Sequence, residues 1–178
     1  MERTFILLKP DCVIRGLIGE ILSKFEKKGL KVVGMKMVKL KRKQLEDFYS
    51  HHKEKPFFEK LIKFMKKTPV VTIILEGLNS VEVVRKMCGT TTGREAIPAT
   101  VRGDYSMSTR MNIIHAADSV DMAKKEIDMF FKQREIYDYK KPQMSFIYCE
   151  EELEGEIKKR KFGKPRKIHK GEPTLSTA

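Results

Sequence analysis

Cysteines in this chain of 178 residues are too few and too scattered to staple it. Cys12, Cys88 and Cys149 are odd in number and form no C-x-x-C pair, which excludes a disulfide framework and a cysteine-built zinc site. They read as reduced thiols, the expectation for a cytoplasmic protein. No apolar run approaches the ~20 residues that span a bilayer, so no membrane partner is expected. Met1-Glu2-Arg3-Thr4 leads straight into fold-like sequence rather than a targeting segment. Glycine-rich phosphate loops are missing too: neither G-x-x-x-x-G-K-[ST] nor G-x-G-x-x-G occurs. Any phosphate bound here must be held by side chains. Acidic residues are in deficit, 24 against 37 Lys and Arg, and the net charge of +13 favours phosphate-bearing partners: nucleotides, nucleic acids or anionic surfaces. There is no internal repeat.

What is present suits one domain of ordinary size. Residues 4–8 form a short apolar run, read as a buried strand that ends at Lys9-Pro10-Asp11. Leu17, Ile18, Ile21, Leu22 and Phe25 recur at helical spacing before Gly29, and residues 30–40 alternate apolar side chains with lysines as a half-exposed strand does. Two helices are expected over residues 41–52 and 56–67. A β-branched strand follows over 69–75, then a helix marked by Val81, Val84 and Met87. Periodicity vanishes from 90 to 108, a loop long enough to suggest a functional role. A helix with Val120, Ala123, Ile127, Phe130 and Phe131 on one face comes next, and residues 144–149 read as a last short strand. The pattern is βαββαβ with insertions. It predicts an α/β (α+β) ferredoxin-like sandwich: one antiparallel sheet, helices on one face, extra helices and a long loop at the site. Residues 1–150 are read as the folded domain. Residues 151–178 are read as a basic, flexible tail, with eight lysines and arginines between 158 and 170.

The candidate centre is Asn112-Ile113-Ile114-His115-Ala116-Ala117-Asp118-Ser119. An apolar pair delivers a histidine to the mouth of a helix whose first N–H groups Asp118 and Ser119 can cap, a place that attracts anions. A neutral imidazole is a competent nucleophile, and the chemistry suggested is phosphoryl transfer through histidine. A lone histidine at a helix entrance is more often a packing residue, so other residues decide. The stretch resembles the active-site signature of nucleoside diphosphate kinases. Further matches are Arg3-Thr4-Phe5 through Lys9-Pro10-Asp11, Arg15-Gly16-Leu17, Pro56-Phe57-Phe58, Pro69-Val70-Val71, Glu76-Gly77-Leu78-Asn79 and Thr100-Val101-Arg102-Gly103-Asp104.

That resemblance implies transfer of the γ-phosphate of a nucleoside triphosphate to His115 and then to a nucleoside diphosphate, with Mg²⁺ accompanying the nucleotide. It implies nucleotide contacts from Lys9, Arg85, Thr91 and Arg102, sugar contact from Asn112 and base stacking on Phe57, with Tyr49 and Glu126 beside the histidine. The physical reading agrees. Phosphoryl transfer is mostly positioning and electrostatics, an arginine fork suits phosphate oxygens, and a π-face accepts any base. Taken singly, Lys9 and Arg85 read as solvated charges and Phe57 as core. His51, His52 and His169 gain no support from the resemblance and are left out of the site. The family's assembly implies a homo-oligomer, a hexamer. Two departures stand out: Ala116 and Ala117 replace the usual glycine and serine, and Gly93-Arg94-Glu95-Ala96-Ile97-Pro98-Ala99 replaces a more polar loop used in subunit contacts, which leaves a smaller assembly as the alternative. The competing reading is a non-catalytic nucleotide- or nucleic-acid-binding relative, with polyanion contact through the tail.

Overall fold

Residues 1–155 are described by the computed structural model; Met1–Lys141 form one compact unit, and a second begins at Pro142. The first unit holds four strands, β1 (Glu2–Leu8), β2 (Lys31–Val38), β3 (Val70–Gly77) and β4 (Ile114–Ala116), in the order β2-β3-β1-β4. Every neighbouring pair is antiparallel. Seven helices connect them: α1 (Pro10–Ile14), α2 (Ile18–Lys27), α3 (Arg42–Phe48), α4 (Phe58–Met65), α5 (Ser80–Cys88), α6 (Val101–Tyr105) and α7 (Val120–Phe130). This is the expected ferredoxin-like βαββαβ sheet with additions.

The alternation of β1 shows how the sheet organises its cores. Phe5 and Leu7 enter one cluster with residues of α3, α4 and α7, while Ile6 and Leu8 enter another with residues of α1, α2, α5 and α6. Helices therefore cover both faces, where the sequence reading placed them on one. The reason is visible in β1 and β3: strands buried on both sides read as continuous apolar runs, and β3 is buried along its whole length. Gly34 sits at the register shift between β2 and β3, and a Cβ there would press on Ile74, Phe131 and the Glu135 carbonyl. At one end of the sheet the in-register residues Arg3, Glu76 and Lys31 form an ionic row, half-buried at Arg3 and buried at Glu76 and Lys31, with contacts of 2.8 and 3.2 Å.

The fourth strand is not where the sequence placed it. Residues 144–149 are no strand: Pro142–Phe146 is a 3₁₀ turn with Phe146 92 % exposed, and an exposed ring of that size does not close a sheet core. The closing strand is Ile114–Ala116, which pairs with β1 through Ile6, Leu7 and Leu8. Three residues are too few to show a period of two. The loop from 90 to 108 also carries structure of its own, a 3₁₀ turn at Gly93–Glu95 and helix α6, which Thr100 caps by accepting from the Gly103 N–H. The basic stretch 158–170 and His169 lie outside the described residues.

Candidate active site

His115 is the middle residue of β4 and stands opposite Leu7 of β1. Strand alternation then turns its ring toward the face of Phe5 and Leu7, while Ile114 and Ala116 enter the opposite core. The ring packs edge-on against Phe48 at 4.8 Å between centroids, with Phe5 at 6.3 Å and Tyr49 at 6.5 Å. On α7, Glu126 brings Oε1 to 2.9 Å from His115 Nε2. The other carboxylate oxygen, Oε2, is buried with no partner, and so is the Tyr49 hydroxyl. Burial and the Glu126 charge push the Tyr49 phenol above its ordinary range, so it stays a neutral O–H. Ser119 caps α7, its Oγ accepting from the Met122 N–H at 3.2 Å.

A second group of residues gathers around Asn112. Lys9, at the end of β1, is buried and donates from Nζ to Asn112 Oδ1 at 2.6 Å. Burial lowers the Lys9 ammonium to about 8; the Arg102 charge pushes the same way and Asp11 opposes it. The Asn112 amide donates to the carbonyls of Thr91 (2.8 Å) and Thr109 (2.9 Å), so both of its N–H groups are used while Oδ1 accepts from Lys9. Arg102 on α6 spans the gap between elements: Nη1 donates to Gly89 O at 2.6 Å, Nη2 to Ile114 O at 2.9 Å, and Nε is buried without a partner. Burial holds this guanidinium below its ordinary value, with Cys88 opposing and Arg85 assisting. Gly89 has a φ of 77°, and a Cβ there would collide with Thr100. Arg85 on α5 is exposed, with Nη1 3.5 Å from Ala116 O, and the Thr91 side chain is exposed as well. Phe57, 40 % exposed, stands at the start of α4.

Thus His115, Tyr49 and Glu126 form one cluster, and Lys9, Thr91, Arg102 and Asn112 form another. Arg85 reaches the strand carrying the histidine. Phe57 enters through a residue the sequence reading left out: His52 lies 5.4 Å from the Phe57 ring and nearly parallel to Tyr49 at 6.3 Å. Its imidazole is held below the ordinary value by burial first, then by His51, Lys55, His115 and Lys9. The three-residue step from Tyr49 to His52, one helical turn, was the available signal. Asp11 and Ile113 were also missed; Asp11 Oδ2 accepts from the Ile113 N–H at 2.9 Å.

A histidine backed by a buried carboxylate and neighboured by cations, on a ferredoxin-like sheet, is an arrangement suited to an enzyme that transfers phosphate. Comparison with known proteins gives the particular family. The model described as nucleoside diphosphate kinase matches residues 2–136. The nucleoside diphosphate kinase of Pyrococcus horikoshii is 53% identical over 141 residues, covering 78% of this chain and 90% of that one. The enzyme of Parabacteroides distasonis is 49% identical over 153 residues, covering 86% and 100%. A halophilic nucleoside diphosphate kinase from Halobacterium salinarum, solved in complex with CDP, superposes with a TM-score of 0.81 at 38% identity, over 83% of this chain and 98% of the other. The chain belongs to the nucleoside diphosphate kinase family and transfers phosphate between nucleotides. The non-catalytic reading is not favoured.

Proposed function

We propose that transfer proceeds in two half-reactions through phosphohistidine at His115. The observation that carries this is the 2.9 Å contact between Nε2 and Glu126. A carboxylate accepts, so Nε2 carries the proton and Nδ1 presents its lone pair. Nδ1 attacks the γ-phosphorus of a nucleoside triphosphate, the bond to the β-phosphate oxygen breaks, and the diphosphate leaves. In the second half-reaction the β-phosphate oxygen of another diphosphate attacks, and the P–N bond breaks. Lys9, Arg85 and Arg102 supply positive charge to the transferred oxygens, and Thr91 borders them. Asn112 and Lys9 meet the ribose. Phe57 stacks on the base and tolerates either ring type.

Magnesium accompanies the nucleotide. The ion would be held through phosphate oxygens rather than by a cage of side chains, since no group of three or more metal-ligating side chains gathers among the described residues. The ion, when bound, offsets phosphate charge. A homo-oligomer, expected as a hexamer, is supported by the exposed Met35 and Met37 on edge strand β2. A cytoplasmic setting fits three free cysteines and, among the described residues, no helix long and apolar enough to cross a membrane. The division at 150 assigns chemistry to residues 1–150 and polyanion contact to 151–178.

Incubation with ATP and Mg²⁺ followed by intact-mass measurement tests the mechanism. One acid-labile phosphate is expected on the protein and none on His115→Ala, together with parallel lines in two-substrate kinetics. Full activity in His115→Ala, or no protein-bound phosphate, refutes it.

A further inference from the structure

Between Asn112 and Ile114 the chain makes a turn that its sequence resists. Ile113 has a φ of 71°, and the Ile114 N–H donates back to Asn112 O at 2.7 Å, an i→i+2 bond. Together these describe the strained positive-φ form of the γ-turn, which a β-branched residue hardly ever adopts. Such a conformation persists only where its surroundings over-determine it. Here one short segment does so. Lys9 Nζ donates to Asn112 Oδ1 (2.6 Å), the Lys9 N–H donates to Ile113 O (2.8 Å), and Asp11 Oδ2 accepts the Ile113 N–H (2.9 Å). Ile113 is fully buried, so its N–H has no water to fall back on, and Asp11 is its acceptor.

We infer that Asp11 is a positioning residue for phosphate transfer: its carboxylate holds Ile113 in the strained turn and thereby fixes Asn112 relative to His115. The two functional side chains lie on either side of the turn. His115 is already anchored by pairing with Leu7, and Ile114 O receives Arg102. Asn112 lies beyond the strand, and its direction depends on the φ of the residue between. If Ile113 relaxed to negative φ, β4 would stay paired while Asn112 and the Lys9 ammonium bonded to it swung away from the histidine. The residue after the last proline of β1's exit thus serves a turn 102 residues later.

This inference rests on His115 as the phosphate carrier, so phosphorylation of the wild type is measured alongside. Absence of phosphohistidine there would refute that reading first. The test compares Asp11→Asn, which keeps an acceptor oxygen, with Asp11→Ala, which removes it. Asp11→Ala is expected to lower kcat about tenfold to hundredfold with a smaller change in KM, because misplaced groups lose transition-state rather than ground-state interactions. Asp11→Asn is expected to stay within about threefold of wild type. Amide exchange at Ile113 is the readout independent of turnover: slow in wild type and Asp11→Asn, fast in Asp11→Ala. Ile113→Gly supplies the second arm, since glycine takes positive φ freely. Measured against Ile113→Gly alone, adding Asp11→Ala should lose little further activity. The inference is overturned if Asp11→Ala keeps wild-type kcat, if Asp11→Asn falls as far as Asp11→Ala, or if Ile113→Gly leaves the Asp11→Ala defect undiminished.

Discussion

Glu126 brings one more acceptor to the centre than the centre uses. Oε1 engages His115, and Oε2 is buried and unpartnered, a costly state for a carboxylate oxygen. The family resemblance implies a serine hydroxyl two residues after the histidine; here the position is Ala117, fully buried, with its N–H spent on Phe5 O. A hydrogen bond to a charged group contributes about 1.5–3 kcal/mol, so its loss slows a step by roughly tenfold to a hundredfold. Ala117→Ser is therefore expected to raise kcat by about tenfold in steady-state assays. A fall instead would mean that the new hydroxyl displaces Glu126 from the ring. Lys9 gives a pH signature. With its ammonium lowered to about 8, it is a cation below that pH and increasingly neutral above it, so kcat/KM should fall as pH rises through about 8. Arginine side chains in general stay protonated across this range, and the loss should be partial. A flat alkaline profile to pH about 10 would show that Lys9 does not serve the free enzyme as a cation. His115 stood out in the sequence by its chemical type, while Lys9 and Asn112 entered through the family resemblance, and the structure brings those two into contact. Ile113 did not stand out, because its contribution is a dihedral angle that no isoleucine advertises.

Elements were readable in proportion to their length. β1, β2 and β3 and the helices α2, α5 and α7 fall within a residue or three of their sequence-derived positions: β2 and the helices are long enough to show a period, and β1 and β3 show as continuous apolar runs. β4 escaped because Ile114-His115-Ala116 offers no alternation to count, although it carries the histidine the sequence had singled out. The segment 144–149 was mistaken for it on apolar content alone. The second layer of helices escaped for another reason: α3 and α4 were expected, but which face of the sheet they cover depends on where the chain re-enters. That is a tertiary fact. His52 belongs here too, since a one-turn offset from Tyr49 points to the site only once Tyr49 is known to face it.

Across the molecule, charge is distributed unevenly. Residues 39–67, spanning α3 and α4, hold ten Lys and Arg against four Asp and Glu, while the remainder of residues 1–155 holds nineteen against eighteen. The basic excess of the described residues thus lies in the segment that carries Phe57 and His52, chiefly at the ends of its helices and in the turns between them, a placement that favours arrival of anionic substrates. The short β4 has a consequence for how the enzyme comes into being. Its contacts with β1 join chain positions about a hundred residues apart, and closing so long a loop offers no reward until the rest of the sheet is in place. Activity during refolding should accordingly trail the return of helical ellipticity, and simultaneous recovery of both signals in stopped-flow and quench assays would contradict this. His115, the proposed phosphate carrier, is mounted on the shortest strand, so turnover would act as a proofreader of completed folding: a chain stalled with α2, α5 and three strands assembled would be compact but chemically silent.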